Sequence, residues 1–164
     1  MTTEPQRTTK PPIRPHLQSL LLANHIYQDR ESGNFIIAGT FNQVQFRQEP
    51  PKMKSEQPVG ELTPREKSLR ELRIVGSPWL FFSLTDILGT VPCAIRYVYL
   101  LDNQILFSTQ FQINSPDRLV TFEHRMQLPS LPFAGFGQYA LEFFAHGEMI
   151  GSLRIMAIPD KASE

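Results

Sequence analysis

Along residues 104–113 the side chains alternate. Ile105, Phe107, Thr109, Phe111 and Ile113 fall on one side of an extended chain, and Gln104, Ser108, Gln110 and Gln112 fall on the other. A period of two marks a strand with one wet face and one buried face, and a helix cannot present it. The pattern returns over residues 119–128, where Val120, Phe122, Met126 and Leu128 point inward and Thr121, Glu123, Arg125 and Gln127 outward. Turn-forming clusters, Asp102-Asn103 and Asn114-Ser115-Pro116-Asp117, bracket these strands. Half-buried strands need a second layer, so the pattern predicts an all-β protein, a β-sandwich of about eight strands.

The remaining strands follow from the same signals. Residues 17–27 and 35–46 read as two strands joined at Gly33-Asn34, residues able to take a left-handed conformation. Residues 78–87, with Trp79, Phe81 and Phe82, are apolar on both faces and suit a strand covered on both sides or one near a loop-packed edge. A fourth strand follows over residues 93–101. Strand and long helix do not alternate as a parallel α/β fold requires.

Residues 129–158 close the domain with a Pro/Gly-rich crossing loop and a hairpin turning at His146-Gly147. Register decides which side chains share a face. A two-residue loop pairs Phe143 with Ile150 and Leu141 with Ser152, mixing core with surface. An odd loop, His146-Gly147-Glu148, pairs Leu141 with Leu153 and Tyr139 with Ile155, and is the expected one; Gly147 then supplies the positive φ of the turn.

At 164 residues the chain has the size of one domain, expected over residues 17–158. Residues 1–16 are Thr, Pro, Gln and charge with little to bury, and are expected to be a disordered tail; residues 159–164 form a second tail. Residues 47–73 read as a charged insertion loop. Within it Thr63-Pro64-Arg65-Glu66 places a capping Thr, a Pro and a Glu where a short helix to about Leu72 would start.

Lys plus Arg and Asp plus Glu number 16 each, so no net field draws the chain to nucleic acid or an anionic membrane. The run over residues 17–23 is broken by Gln18 and Ser19, too short to span a bilayer and without a cleavage site. Cys93 is the single cysteine, which excludes an internal disulfide framework and multi-thiolate zinc, and fits cytoplasmic residence.

Three segments, HIYQDRESGNFIIAGTFNQVQF, IRYVYLLDNQILFSTQFQINSPDRLVTFEHRMQLPSLP and GQYALEFFAHGEMIGSLRIMAI, together resemble small bacterial β-sandwich domains of unknown function common in planctomycete genomes. The resemblance spans most of residues 20–158, and the tail and the 47–73 insertion depart from it. It implies an immunoglobulin-like sandwich and brings no catalytic motif.

Candidate chemistry is sparse. His16, His25, His124 and His146 have no His, Cys or carboxylate at metal-ligand spacing, so no metal and no cofactor is expected. His124, on the inward side between Phe122 and Met126, is expected to be a hydrogen-bonded core or boundary residue. His25 lies near Asp29 and Glu31, but His25 and Asp29 share a face only if the strand stays regular through Gln28. Cys93, between Pro92 and Ala94, reads as a buried small hydrophobe. Asp86, Asp102 and Asp117 lie in or beside turns. No nucleophile elbow, phosphate loop or dinucleotide fingerprint is present.

An interaction surface is therefore sought among the aromatics. Trp79 could serve as a platform, although the core also needs such side chains. Phe133 and Phe136, in the crossing loop, either cap one end of the sandwich or project from it as an apolar patch. The expected function is a non-catalytic protein-interaction or scaffold module with a protein partner; the alternative is a small-ligand or carbohydrate-binding domain.

Overall fold

The structure, a computed structural model, describes residues 14–46 and 73–160. The short helix expected near Thr63 and nearly all of the charged insertion lie outside these residues. Eleven strands and no helix occur among the described residues: β1 (His16–Gln28), β2 (Phe35–Phe41), β3 (Gln43–Phe46), β4 (Arg73–Val75), β5 (Trp79–Thr85), β6 (Gly89–Tyr99), β7 (Gln104–Ser115), β8 (Phe122–Gln127), β9 (Leu131–Phe133), β10 (Gly137–Ala145) and β11 (Glu148–Pro159). They form a four-stranded sheet in the order β2-β1-β5-β8, a five-stranded sheet in the order β3-β11-β10-β6-β7, and the small ribbon β4-β9. Every pairing is antiparallel except β3 with β11.

The period of two sorts side chains between faces as an aligned sandwich requires. Leu22, Leu80, Phe82 and Leu84 from one sheet meet Val91, Cys93, Ile95, Tyr97, Tyr139, Leu141, Phe143 and Ile155 from the other in a single core. Phe82 reaches across the layer to Phe143, ring centroids 4.8 Å apart, and to Phe111 at 5.8 Å. A second, smaller cluster lies apart from it, with Ala23, Ile26 and Phe81 buried beneath Leu21, Phe35, Ile37 and Trp79. Phe35 meets Phe81 edge-on at 5.4 Å, and the Arg125 guanidinium lies 5.2 Å from the Trp79 ring centre while donating to the Ile26 carbonyl. β1 pairs with β5 only as far as Ala23, whereas its pairing with β2 begins at Leu22. The β1–β2 hairpin therefore extends past the end of β5, and its apolar side chains join those on the far side of β5.

Several expectations need correction. The strand predicted over residues 35–46 is two strands, because the chain switches sheets at Asn42: β2 pairs with β1, and β3 runs parallel to β11. The predicted tail is ordered at its end, where Pro15 is buried, Arg14 pairs with Glu148 at 2.8 Å and β1 starts at His16. In β7 a bulge inserts Leu106 opposite the Tyr97–Val98 step. Leu106 packs on the core and Ile105 leaves the inward face, 53% exposed.

The closing hairpin has the expected core register by an unexpected route. Tyr139 pairs with Ile155 and Leu141 with Leu153. The loop, however, is the two-residue turn, His146 (φ 51°) and Gly147 (φ 80°), closed by Ala145 and Glu148. A bulge at Ile150 shifts the register by one between the turn and the core. Positive φ at both central residues gives the turn whose twist matches the strands.

Candidate functional site

Phe133, Phe136 and Trp79 do not converge. Phe133 ends β9 and is 1% exposed, edge-on to Tyr97 and Tyr139 at 5.8 and 4.9 Å. It caps the core instead of projecting from it. Phe136 is half-buried in the loop before β10. Two tyrosine hydroxyls fix this loop: Tyr99 donates to the Phe136 carbonyl at 3.1 Å, and Tyr139 donates to the Gly135 carbonyl at 2.7 Å while accepting from the Gly135 N–H at 3.0 Å. Trp79 is half-buried in the second cluster, beneath Arg125.

The titratable residues are scattered. Among the described residues, no group of three or more His, Cys, Asp and Glu could hold a metal ion. His124 faces inward opposite Phe82 but is exposed, because β8 is an edge strand. Desolvation, then the neighbouring Arg125 cation, lowers its pKa. Cys93 is buried, its thiol pointing to the Val91 carbonyl, and burial pushes its pKa up to about 11. A thiol so protonated and enclosed is a poor nucleophile. Asp29 and Asp102 accept backbone N–H bonds within their own turns. No helix of the described residues is long and apolar enough to cross a membrane.

Two features missed by the sequence reading lie side by side on the five-stranded sheet. One is a groove of about 430 Å³ on the face away from the core. Pro92, Ala94 and Arg96 of β6, Gln110 and Gln112 of β7, and Phe144 of β10 line it. Arg96 sits 4.4 Å from the Phe144 ring centre. The other is the edge of β7, which among the described residues pairs with β6 alone.

The hydrogen-bond phase of that edge follows from β6. The N–H of His146, at the end of β10, donates to the Pro92 carbonyl, and the Leu100 N–H donates to the Gln138 carbonyl. Even-numbered residues of β6 thus turn their backbone groups toward β10. The pairs Thr90–Asn114, Pro92–Gln112, Ala94–Gln110 and Arg96–Ser108 are then the non-hydrogen-bonded pairs of the β6–β7 ladder. Ser108, Gln110, Gln112 and Asn114 consequently present their N–H and C=O groups to the open side. Their side chains are all exposed, while Phe107, Thr109 and Phe111 between them are half-buried.

Two of the other edges are blunted, since β8 carries Glu123, His124 and Arg125 within six residues and β3 has only four residues, while β2 is uncharged but shorter, with seven residues and Gly39 at φ 68°. β7 has 12 residues and no charge or Pro, and no charged residue occurs anywhere in residues 103–116. An edge left uncovered among the described residues is one that folded domains normally avoid. No family model matches this chain, and no curated protein matches it.

Proposed function

We propose that this domain is a non-catalytic protein-interaction module that takes its partner as an added strand along β7. The observation that carries this reading is the long, uncharged edge from Phe107 to Ser115, with backbone donors and acceptors at Ser108, Gln110, Gln112 and Asn114 turned outward. Main-chain bonds supply affinity in strand addition, and side-chain pockets beside the edge supply selectivity. An immunoglobulin-like arrangement belongs to the same proposal. Its support is the segment 35–46 split between sheets, with β3 parallel to the last strand, and Tyr139, whose hydroxyl bonds the backbone four residues upstream at the start of β10. Phe82 and Phe143 join the two layers by ring contact. The balanced charge favours a protein partner over nucleic acid, and the lone buried thiol supports a cytoplasmic setting.

The test is affinity purification of the full chain from its own cells, wild type beside Gln110→Pro. The Gln110 N–H faces the open side, so proline there removes one edge donor and leaves the β6 ladder intact. Partners, including further copies of the chain, should be retained by the wild type and lost by the variant. Identical recoveries from both would end the edge proposal.

The groove favours a second reading, a small-ligand or carbohydrate-binding domain. Its volume lies in the range of ligand sites, and it combines an aromatic ring, a cation and two amides. A glycan and metabolite thermal-shift panel checks it: a hit that raises the melting temperature and vanishes in Phe144→Ala supports it, and a panel without hits removes it.

A further inference from the structure

We propose that the strand added to β7 is β7 of a second copy of this chain, antiparallel across a two-fold axis at Phe111. This rests on the strand-addition reading of β7 and names its occupant.

The backbone restricts the register first. Among the described residues the donors and acceptors without a strand partner sit on residues 108, 110, 112 and 114, so an antiparallel copy must set even-numbered residues against even-numbered ones. The same parity keeps the exposed polar side chains of both copies on one face and the half-buried apolar ones on the other. The straight part of β7 runs from the bulge at Leu106 to its end at Ser115, and its midpoint is Phe111. Centring the two-fold there uses the whole straight edge. Ser108 then faces Asn114 of the second copy, Gln110 faces Gln112, and Phe111 faces Phe111.

Side-chain chemistry accepts this pairing. Two copies of a charged strand bring like charges into opposition, which is how ordinary edges select against self-association. β7 contributes none, and the whole chain carries no net charge to hold copies apart. The outer face would carry facing hydroxyls and amides, each able to donate and accept. On the inner face Leu106, Phe107 and Phe111 are only partly buried against the core. A second copy covers what the β7 margin leaves open, with Phe111 against Phe111 an aromatic cross-strand pair. The contact is isologous, so it closes as a dimer and leaves the shorter or charged edges outside.

Sedimentation velocity of the full chain across a concentration series tests this. The wild type should move toward twice the monomer mass as concentration rises, and Gln110→Pro should stay at the monomer mass with an unchanged far-UV spectrum. Gln110→Lys/Gln112→Lys and Gln110→Glu/Gln112→Glu should each be monomeric alone, because like charges then face each other, and should form a mixed dimer when combined. A wild type that remains monomeric at every concentration overturns self-pairing, and so does a dimer that survives Gln110→Pro. If the wild type is monomeric yet affinity purification yields partners lost in Gln110→Pro, self-pairing alone falls. If neither measurement depends on residue 110, the strand-addition reading falls with it.

Discussion

Tyr97 and Tyr139 stack at 5.4 Å, nearly parallel, and both are fully buried, yet their hydroxyls have opposite circumstances. The Tyr139 hydroxyl both donates to and accepts from Gly135, whereas the Tyr97 hydroxyl has no hydrogen-bond partner among the described residues. An unpartnered buried hydroxyl forfeits roughly 1–3 kcal/mol of hydration, and a satisfied one contributes about 1 kcal/mol net. Tyr97→Phe should therefore raise the unfolding free energy by about 1 kcal/mol. Tyr139→Phe should lower it by about 1–2 kcal/mol, since it also strands the Gly135 groups. Urea unfolding at constant m-value separates the two signs. Cys93 gives a pH prediction. Its thiol is raised from 9.0 to about 11 by burial, so the folded state resists ionisation that the unfolded chain undergoes first. Its contribution is intact below pH 9 and is lost as pH rises toward about 11. Cys93→Ala should flatten that part of the stability profile, and a maleimide should label native Cys93 only as fast as the domain opens. The buried fate of Cys93 was legible from its apolar flanks. That of Phe133 was not, because its Pro/Gly-rich surroundings resemble an exposed loop and its neighbours Tyr97 and Tyr139 come from other strands.

At the scale of strands, local pattern succeeded where one face is plainly buried and failed where the chain breaks its own period. The pairing of Leu141 with Leu153 was readable because any other parity buries Ser152 or Arg154. The bulges at Ile150 and Leu106 were not, since a bulge adds one residue without a turn signal. The division of residues 35–46 between two sheets was equally hidden, because both halves look extended. The open edge of β7 could have been suspected from the 14 uncharged residues 103–116, but only the sheet order reveals which strand lies outermost. The β10–β11 turn carries its own prediction. Both central residues have positive φ, and at the first position of such a two-residue turn Asn before Gly is favoured over His. His146→Asn should raise the melting temperature slightly. Gly147→Ala should lower stability by about 1 kcal/mol, since alanine at φ 80° is strained. Opposite shifts of the thermal midpoint are the readout.

For the molecule as a whole, the two clusters of apolar side chains have unequal roles. Phe82 belongs to the four-stranded sheet but is in ring contact with Phe143 and Phe111 of the five-stranded one, and those two meet edge-on at 5.9 Å. It is the aromatic tie between the layers, and its loss opens a void that backbones on both sides must close. Phe81, its neighbour in sequence, points the other way, into the smaller cluster under Leu21, Phe35 and Trp79. That cluster is walled by partly buried side chains at the surface, which have room to collapse into the gap. Phe82→Ala should therefore cost about 3–5 kcal/mol and Phe81→Ala nearer 2 kcal/mol, since the cost of a cavity depends on how far its walls relax. The difference should also be qualitative. Phe82→Ala removes the tie that makes both sheets unfold together, so tryptophan fluorescence from Trp79, on the four-stranded sheet, should melt ahead of the near-UV tyrosine signal, for which Tyr97 and Tyr139 lie on the other sheet. Phe81→Ala should leave the two transitions coincident. Coincident transitions in both variants, with equal losses of stability, would show that the layers are held by distributed packing and not by this ring.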